Sequence, residues 1–341
     1  MSKETSTILK GVAILMMLWY HLFGISDLDS TCSPLIYIHG KALAAYMANA
    51  TYPVTFFLIL SGYGLTYVYR HQQLNAKSQS KRLLKLYIHY WIVLVVFVTI
   101  GHFIDPETYP HDWVHVLTNI IGIRCTYNGE TWFLLPYAVI TLFSYHIIHY
   151  VYHLKGRIKI GLTCFIYLII FLSARYLGNH LPEDVILNTL LIQPVYWVIL
   201  TFYFSLGIFL YRLLETNHRF TTVKPMVYLL LMIGLFIVKC LFKVTLADGL
   251  YALAFTWCFI HIPLHPTIKK LLHEIGRRSM VMWMTHTFFC VYLFQNFIYG
   301  FQYPVIIFLV LVLVSYLTSV ILMWIAKKVI SITNVEASRK V

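Results

Sequence analysis

Lys10 and His21 stand eleven positions apart, and the ten residues between them, GVAILMMLWY, carry no charge. A cation and a titratable imidazole thus bracket a helix-length apolar run. At about 1.5 Å rise per residue they lie roughly 16 Å apart along a helix axis, about half of a bilayer's hydrocarbon thickness. Ionisable groups are costly at such depths, so those retained there mark function more often than they do in soluble proteins. Imidazole is the side-chain group best suited to removing a hydroxyl proton. The lysine suits a phosphate.

The elements that must position this pair belong to a membrane protein. Of 341 residues, 60% are hydrophobic and only 11% charged, and the mean hydropathy is +0.73. Ordinary soluble domains carry about a quarter charged residues. The N-terminus MSKETSTILK leads straight into the first apolar run with no small-residue cleavage site, so a retained first helix is expected and not a signal peptide. No repeat, low-complexity tract or linker divides the chain, which reads as one domain over 1–341.

Ten apolar segments of about twenty residues predict spans near 8–24, 52–69, 84–104, 132–152, 158–177, 190–211, 225–243, 245–262, 279–299 and 304–326. The expected fold is therefore an all-α polytopic membrane protein, a bundle of about ten transmembrane helices with both termini on one side. Residues 35–50 read as an interfacial or re-entrant helix before the second span. With the termini cytoplasmic, only Lys41, Arg124, Arg175, Lys239 and Lys243 fall in outer loops, and the other 21 of 26 Lys and Arg face the cytoplasm. The net charge of +13 is then an orientation signal and a contact with anionic lipid, with no nucleic acid implied.

Acidic residues favour the outside: Asp27, Asp29, Asp105, Glu107, Asp112, Glu130, Glu183, Asp184 and Asp248 all fall in expected outer loops. The longest such loop is 105–131, and it leads into NGETWFLLPY. Outer carboxylates beside a titratable His suit binding and deprotonating a polyhydroxylated acceptor, although any outer loop needs polar residues. Cys32 and Cys125, both in outer loops, could pair. His111 and His115 in HDWVH have i, i+4 spacing, but in a chain with 16 His a polar loop is favoured and no metal is expected.

Five elements in order resemble the integral-membrane acyltransferase family 3, whose members acylate bacterial surface polysaccharides, lipopolysaccharides and antibiotics. They are Lys10 and His21 followed by LFG; the Phe56 to Tyr63 element FFLILSGY; and KRLLKLYIHYW with Arg82 and Lys85. Trp132, Phe133 and Leu134 follow, then Gly276 and Ser279 with His286 beyond them. The resemblance covers nearly the whole chain. Lys10 and Lys85 stand where the family usually has Arg, which keeps the charge but loses the bidentate fork. The family's acidic residue tends to follow the Trp element, whereas Glu130 precedes Trp132. No appended hydrolase-like domain is expected after the last span.

The resemblance implies an acyl-CoA-dependent O-acyltransferase of the bacterial plasma membrane, with acetyl-CoA the expected donor and a glycan or glycolipid acceptor. Lys10, Arg82 and Lys85 would pair with the donor's phosphates, and His21 would be the general base at the outer end of a tunnel. Ser61, Tyr63, Glu130, Trp132 and His286 are the expected tunnel and substrate residues, with Ser61 or Tyr63 able to donate to the thioester oxygen. A transporter or flippase of a glycan or lipid-linked intermediate is the alternative. It needs many spans too, but neither a cation–His pair in the first helix nor any internal symmetry argues for it.

Overall fold

The computed structural model describes residues 1–24, 28, 30–178, 180, 185–216 and 223–332. Asp27, Asp29, Glu183 and Asp184 of the expected outer acids lie outside the described residues, as do Arg219, Arg339 and Lys340. The chain opens with α1 (Lys3–Phe23), which the Ser2 side chain caps by accepting from the Thr5 amide. A two-residue hairpin, β1 (Tyr37–Ile38) with β2 (Lys41–Ala42), leads into α2 (Leu43–Asn49) and α3 (Val54–His71). An Asn75–Ser78 capping box starts α4 (Ala76–Ile104).

The expected loop 105–131 is not structureless. It holds α5 (Trp113–Ile121), capped by Asp112 and ended by Gly122 at φ 82°, where a left-handed residue closes the helix. Trp113, Val114, Leu117, Ile120 and Ile121 on α5 are exposed, an apolar face suited to the membrane interface. After a 3₁₀ turn at Gly129–Phe133 come α6 (Leu134–Leu142) and α7 (Ser144–Tyr152). These two make the expected segment 132–152 a broken one, bent by 65°. Then follow α8 (Arg157–Gly178), α9 (Val185–Thr216), α10 (Pro225–Leu241), α11 (Asp248–Phe259), α12 (Pro266–Thr287), α13 (Gln295–Tyr299) and α14 (Pro304–Ile332).

Among the described residues, five helical stretches are long and apolar enough to cross a membrane: Lys3–Phe23, Leu43–His71, Ala76–Ile104, Leu191–Thr216 and Pro304–Ile332. The bent pair α6–α7 is a sixth if it crosses as one broken span, and a re-entrant loop if it does not. The fold is all-α and of membrane type, but the ten spans read from hydropathy go further than these helices do. The 17-residue α10 and 12-residue α11 are short for a bilayer. Expected segment 279–299 is divided among the end of α12, a π turn at Phe288–Tyr292 and α13. Lys269, Lys270, Glu274, Arg277 and Arg278 make the first half of α12 polar. On α14, Val305, Leu309, Leu313, Leu317 and Ile321 form an exposed apolar stripe while Ile307, Leu311, Ser315, Ser319 and Ala326 are buried. Such a stripe fits lipid on one side and protein on the other.

Two close helix crossings set the interior. A Cβ at Gly11 would meet the Leu272 carbonyl oxygen, and one at Gly276 the Thr7 carbonyl oxygen, so α1 and α12 touch backbone to backbone. Ten residues beyond Gly11 and Gly276 respectively, His21 and His286 are in contact, so the two helices run parallel. Gly62 and Gly207 give α3 and α9 the same kind of crossing, against the Phe204 and Ile59 carbonyls. The Arg70–Glu215 ion pair at 3.5 Å, eight residues past each glycine, makes that pair parallel too. Buried between α10 and α11 is a further ion pair, Lys239–Asp248 at 2.6 Å, both residues of which had read as outer-loop positions.

Overpacking such a contact costs about 1–3 kcal/mol or more. Gly276→Val and Gly62→Val are therefore expected to lower the thermal unfolding midpoint in detergent, whereas Gly64→Ala, with nothing within 4 Å of its Cβ position, should leave it unchanged or raise it. Equal midpoints for all three would remove the two crossings from the account.

Candidate active site

Eleven positions on a helix are three turns and about 20°, so Lys10 and His21 share one face of α1. The segment 129–142 runs antiparallel along that face, with Glu130 at the His21 end and Tyr137 at the Lys10 end. At the His21 end three side chains form a chain of hydrogen bonds. His286 Nε2 lies 2.8 Å from His21 Nδ1, and His21 Nε2 lies 2.9 Å from Glu130 Oε2. His286 is fully buried, the His21 side chain is 12% exposed, and that of Glu130 is 34% exposed. The Glu130 carboxylate supplies the counter-charge an imidazolium needs in an apolar bundle.

The backbone around Glu130 is tied to α12. Asn128 donates to the Met284 carbonyl at 3.1 Å, and its Oδ1 accepts from Thr287 Oγ1 at 2.8 Å and from the Glu130 amide at 3.2 Å. Trp283 Nε1 donates to the Glu130 carbonyl at 3.1 Å, and the Gly129 amide donates to the Tyr292 hydroxyl at 2.8 Å. The π turn at 288–292 directly follows this contact zone, a local widening of the helix often found at functional sites. Tyr20 and Tyr52 stack edge to face at 5.6 Å beside His21.

At the Lys10 end, Lys10, Arg82 and Tyr137 act on one another electrostatically, and the Tyr137 hydroxyl is 3.2 Å from Ser61 Oγ. Aromatic rings line the distance between the two ends: Phe133 lies 5.4 Å from Tyr137 and 5.7 Å from Trp283. This is the geometry of a strip with cations at one end, an imidazole–carboxylate pair at the other, and a hydroxyl-bearing aromatic wall between. A family model described as an acyltransferase domain matches residues 6–324. The chain belongs to acyltransferase family 3. A search of curated proteins returned no significant match. A search of solved structures likewise returned none.

In this membrane acyltransferase the structure brings together His21, Glu130 and His286, and separately sets Ser61 against Tyr137, which is in electrostatic reach of Lys10 and Arg82. Lys85 sits one turn after Arg82 on α4, half-buried, with its carbonyl accepting from His89. Tyr63 is not with Ser61. Two positions apart on a helix point in nearly opposite directions, and the Tyr63 hydroxyl instead accepts from the Met1 amino group at 2.7 Å and packs on Tyr211. Trp132 faces Tyr196 at 4.8 Å. Tyr137 and Asn128 were missed by the sequence reading. Tyr137 had a weak signal, being the polar group nearest to where the family's acidic residue is expected after the Trp element.

Cys32 and Cys125, which could have paired, are not joined in a disulfide, and each thiol faces a backbone carbonyl. Burial pushes the Cys125 thiol up to about 11, so it stays un-ionised. His111, Asp112 and His115 place three ligand-type atoms within 4.8 Å of one another. Asp112 is already engaged, its Oδ1 accepting from the His115 amide and ring and its Oδ2 from His111. The backbone amide first, then the two rings, hold its carboxyl well below the usual range.

A depressed carboxyl contributes stability that is present above the ordinary carboxylate pKa of about 4 and is lost as pH falls through the folded-state value. The protection of α5 amides, corrected for intrinsic exchange, should therefore be high at neutral pH and fall under strong acid, with Asp112→Asn weakening that acid dependence. Unaltered pH dependence in the variant would remove Asp112 as the anchor of α5.

Proposed function

We propose that this acyltransferase moves an acyl group from cytosolic acyl-CoA, acetyl-CoA before others, to a hydroxyl of an extracytoplasmic glycan or glycolipid. The setting is the bacterial plasma membrane, with one domain of about ten spans and both termini cytoplasmic. One observation carries the reading: Lys10 and His21 lie on a single face of α1, with Arg82 in electrostatic reach of the first and Glu130 hydrogen-bonded to the second. That spacing, roughly 16 Å by helix rise, suits a donor whose charged nucleotide stays at one end while its thioester reaches the other.

Chemistry assigns the roles. Lys10, Arg82 and Lys85 neutralise the donor's phosphates. His21 takes the proton from the acceptor hydroxyl as its oxygen attacks the thioester carbonyl carbon. The C–S bond breaks and the departing sulfur receives that proton, so alcohol and thioester become ester and thiol. Tyr137 and Ser61 offer hydroxyl donors to the pantetheine arm or to the oxyanion. Tyr20, Tyr52 and Trp132 offer ring faces to a sugar at the outer end. No metal enters the scheme.

In detergent, the full-length protein is expected to release free thiol from acetyl-CoA in the presence of the producing strain's surface polysaccharide. His21→Ala should cut this turnover by about 10²–10⁴ with donor binding largely kept. Lys10→Ala should weaken donor binding by about tenfold or more, since one charge-assisted contact is worth about 1.5–3 kcal/mol. Turnover unaffected by His21→Ala, with transport of an intact glycan, would favour the flippase instead. Reporter fusions at residues 76 and 220 should both read as cytoplasmic, and an external signal at either would overturn the topology.

A further inference from the structure

Resting on the reading of His21 as the base, we infer that His286 is a positioning residue that locks the proton of His21 onto Nδ1, and that Glu130 occupies the catalytic Nε2 until the acceptor hydroxyl takes its place.

Hydrogen-bond bookkeeping along the chain of three side chains leads there. His286 Nδ1 lies 2.8 Å from the Trp283 carbonyl oxygen and 3.1 Å from that of Met282. Carbonyl oxygens only accept, so this nitrogen carries the hydrogen and, in the neutral ring, Nε2 is left as an acceptor. A second positive charge on the fully buried His286, beside His21, would have no carboxylate in contact. The 2.8 Å contact between His286 Nε2 and His21 Nδ1 is therefore a bond donated by His21. That fixes the tautomer of His21, and its Nε2 is the nitrogen that faces Glu130.

Exposure decides which side the acceptor uses. His21 has two ring nitrogens and both are occupied, one by a residue with no exposure and one by a carboxylate that is 34% exposed. Only Glu130 can yield. Its backbone is pinned by Asn128 and Trp283, so the motion belongs to the side chain. The Nε2–Oε2 contact holds one proton between two groups that would otherwise both present lone pairs. When Glu130 swings away as the carboxylic acid, it leaves Nε2 with a free lone pair. The hydroxyl proton then passes to Nε2, the new C–O bond forms, the C–S bond breaks, and the proton on Nε2 goes to the sulfur. Glu130 returns its proton to the pair as the products depart, so the cycle closes.

The test uses full-length protein in detergent with acetyl-CoA as donor and the producing strain's surface polysaccharide as acceptor. His286→Leu removes the acceptor for Nδ1–H, whereas His286→Gln places Oε1 close to where Nε2 stood. A wrong tautomer in a comparable triad costs about 10⁴ in kcat. The expected result is a fall in kcat of about 100-fold or more for His286→Leu with KM for acetyl-CoA within about twofold, and at least tenfold recovery in His286→Gln. Nitrogen-15 spectra of histidine-labelled protein supply a readout independent of turnover, with the His21 signals identified by their loss in His21→Ala. Neutral His21 should be protonated at Nδ1 in the wild type and at Nε2 in His286→Leu. Wild-type protonation at Nε2, full turnover by His286→Leu, or equal impairment of the Leu and Gln variants would each overturn the inference. Turnover retained by His21→Ala would take down the base reading and this inference together. Turnover lost in His21→Ala but kept in His286→Leu would overturn the inference alone.

Discussion

Backbone meets backbone where Gly11 of α1 crosses Gly276 of α12, and most of the site follows from that contact. Because the two helices run parallel from a crossing only as wide as two glycines, groups ten residues further on are still close enough to bond. His21 and His286 are those groups. A side chain at either glycine would have to push the helices apart, and a 2.8 Å hydrogen bond does not survive such a shift. The requirement is strict because the surroundings are apolar. A buried imidazole without a partner loses its hydration and gains nothing in exchange.

The second constraint is the segment 128–142, which faces α1 along its functional side. Asn128 fastens the start of that segment to α12 through two hydrogen bonds and accepts a third from the Glu130 amide, and the Trp283 indole holds the Glu130 carbonyl. With its backbone fixed, Glu130 can place a carboxylate against His21 while its side chain remains partly open. Seven residues later Tyr137 is hydrogen-bonded to Ser61 and in electrostatic reach of Lys10 and Arg82. A single piece of chain thus carries a polar group to each end of the strip. The α6–α7 bend of 65° falls just beyond it, so the straight portion is the part that lines the site.

The membrane character of the chain, its helical class and the family were all legible in the amino-acid order. A long uncharged run leaves helix as the structure that satisfies its own backbone in lipid. Lys10 and His21 were legible for the same reason, since two ionisable groups flanking such a run stand out. Arg82 was visible through its motif. Glu130 was harder, because it lies on the other side of Trp132 from where the family places its acid. Less legible were the helix breaks at 143 and 288–292, which hydropathy passes over because bending leaves composition unchanged. The pairing of Lys239 with Asp248 was hidden too: two outer-loop charges in sequence became one buried ion pair. Cys32 and Cys125 pointed the other way, since sharing a side of the membrane says nothing about reach.

By itself, the order of residues determined that this is a helical membrane acyltransferase with a cation and an imidazole on its first helix. Helix periodicity and the cost of charge in hydrocarbon are local rules, and neither needs to know what packs against what. Tertiary structure alone decided that the imidazole has two partners, and which ones. His21, Glu130 and His286 are separated by 109 and 265 positions along the chain from the first to each of the others. No local rule spans those distances. Only the close crossing of α1 with α12, and the anchoring of Asn128 beside it, can bring the three side chains into one line.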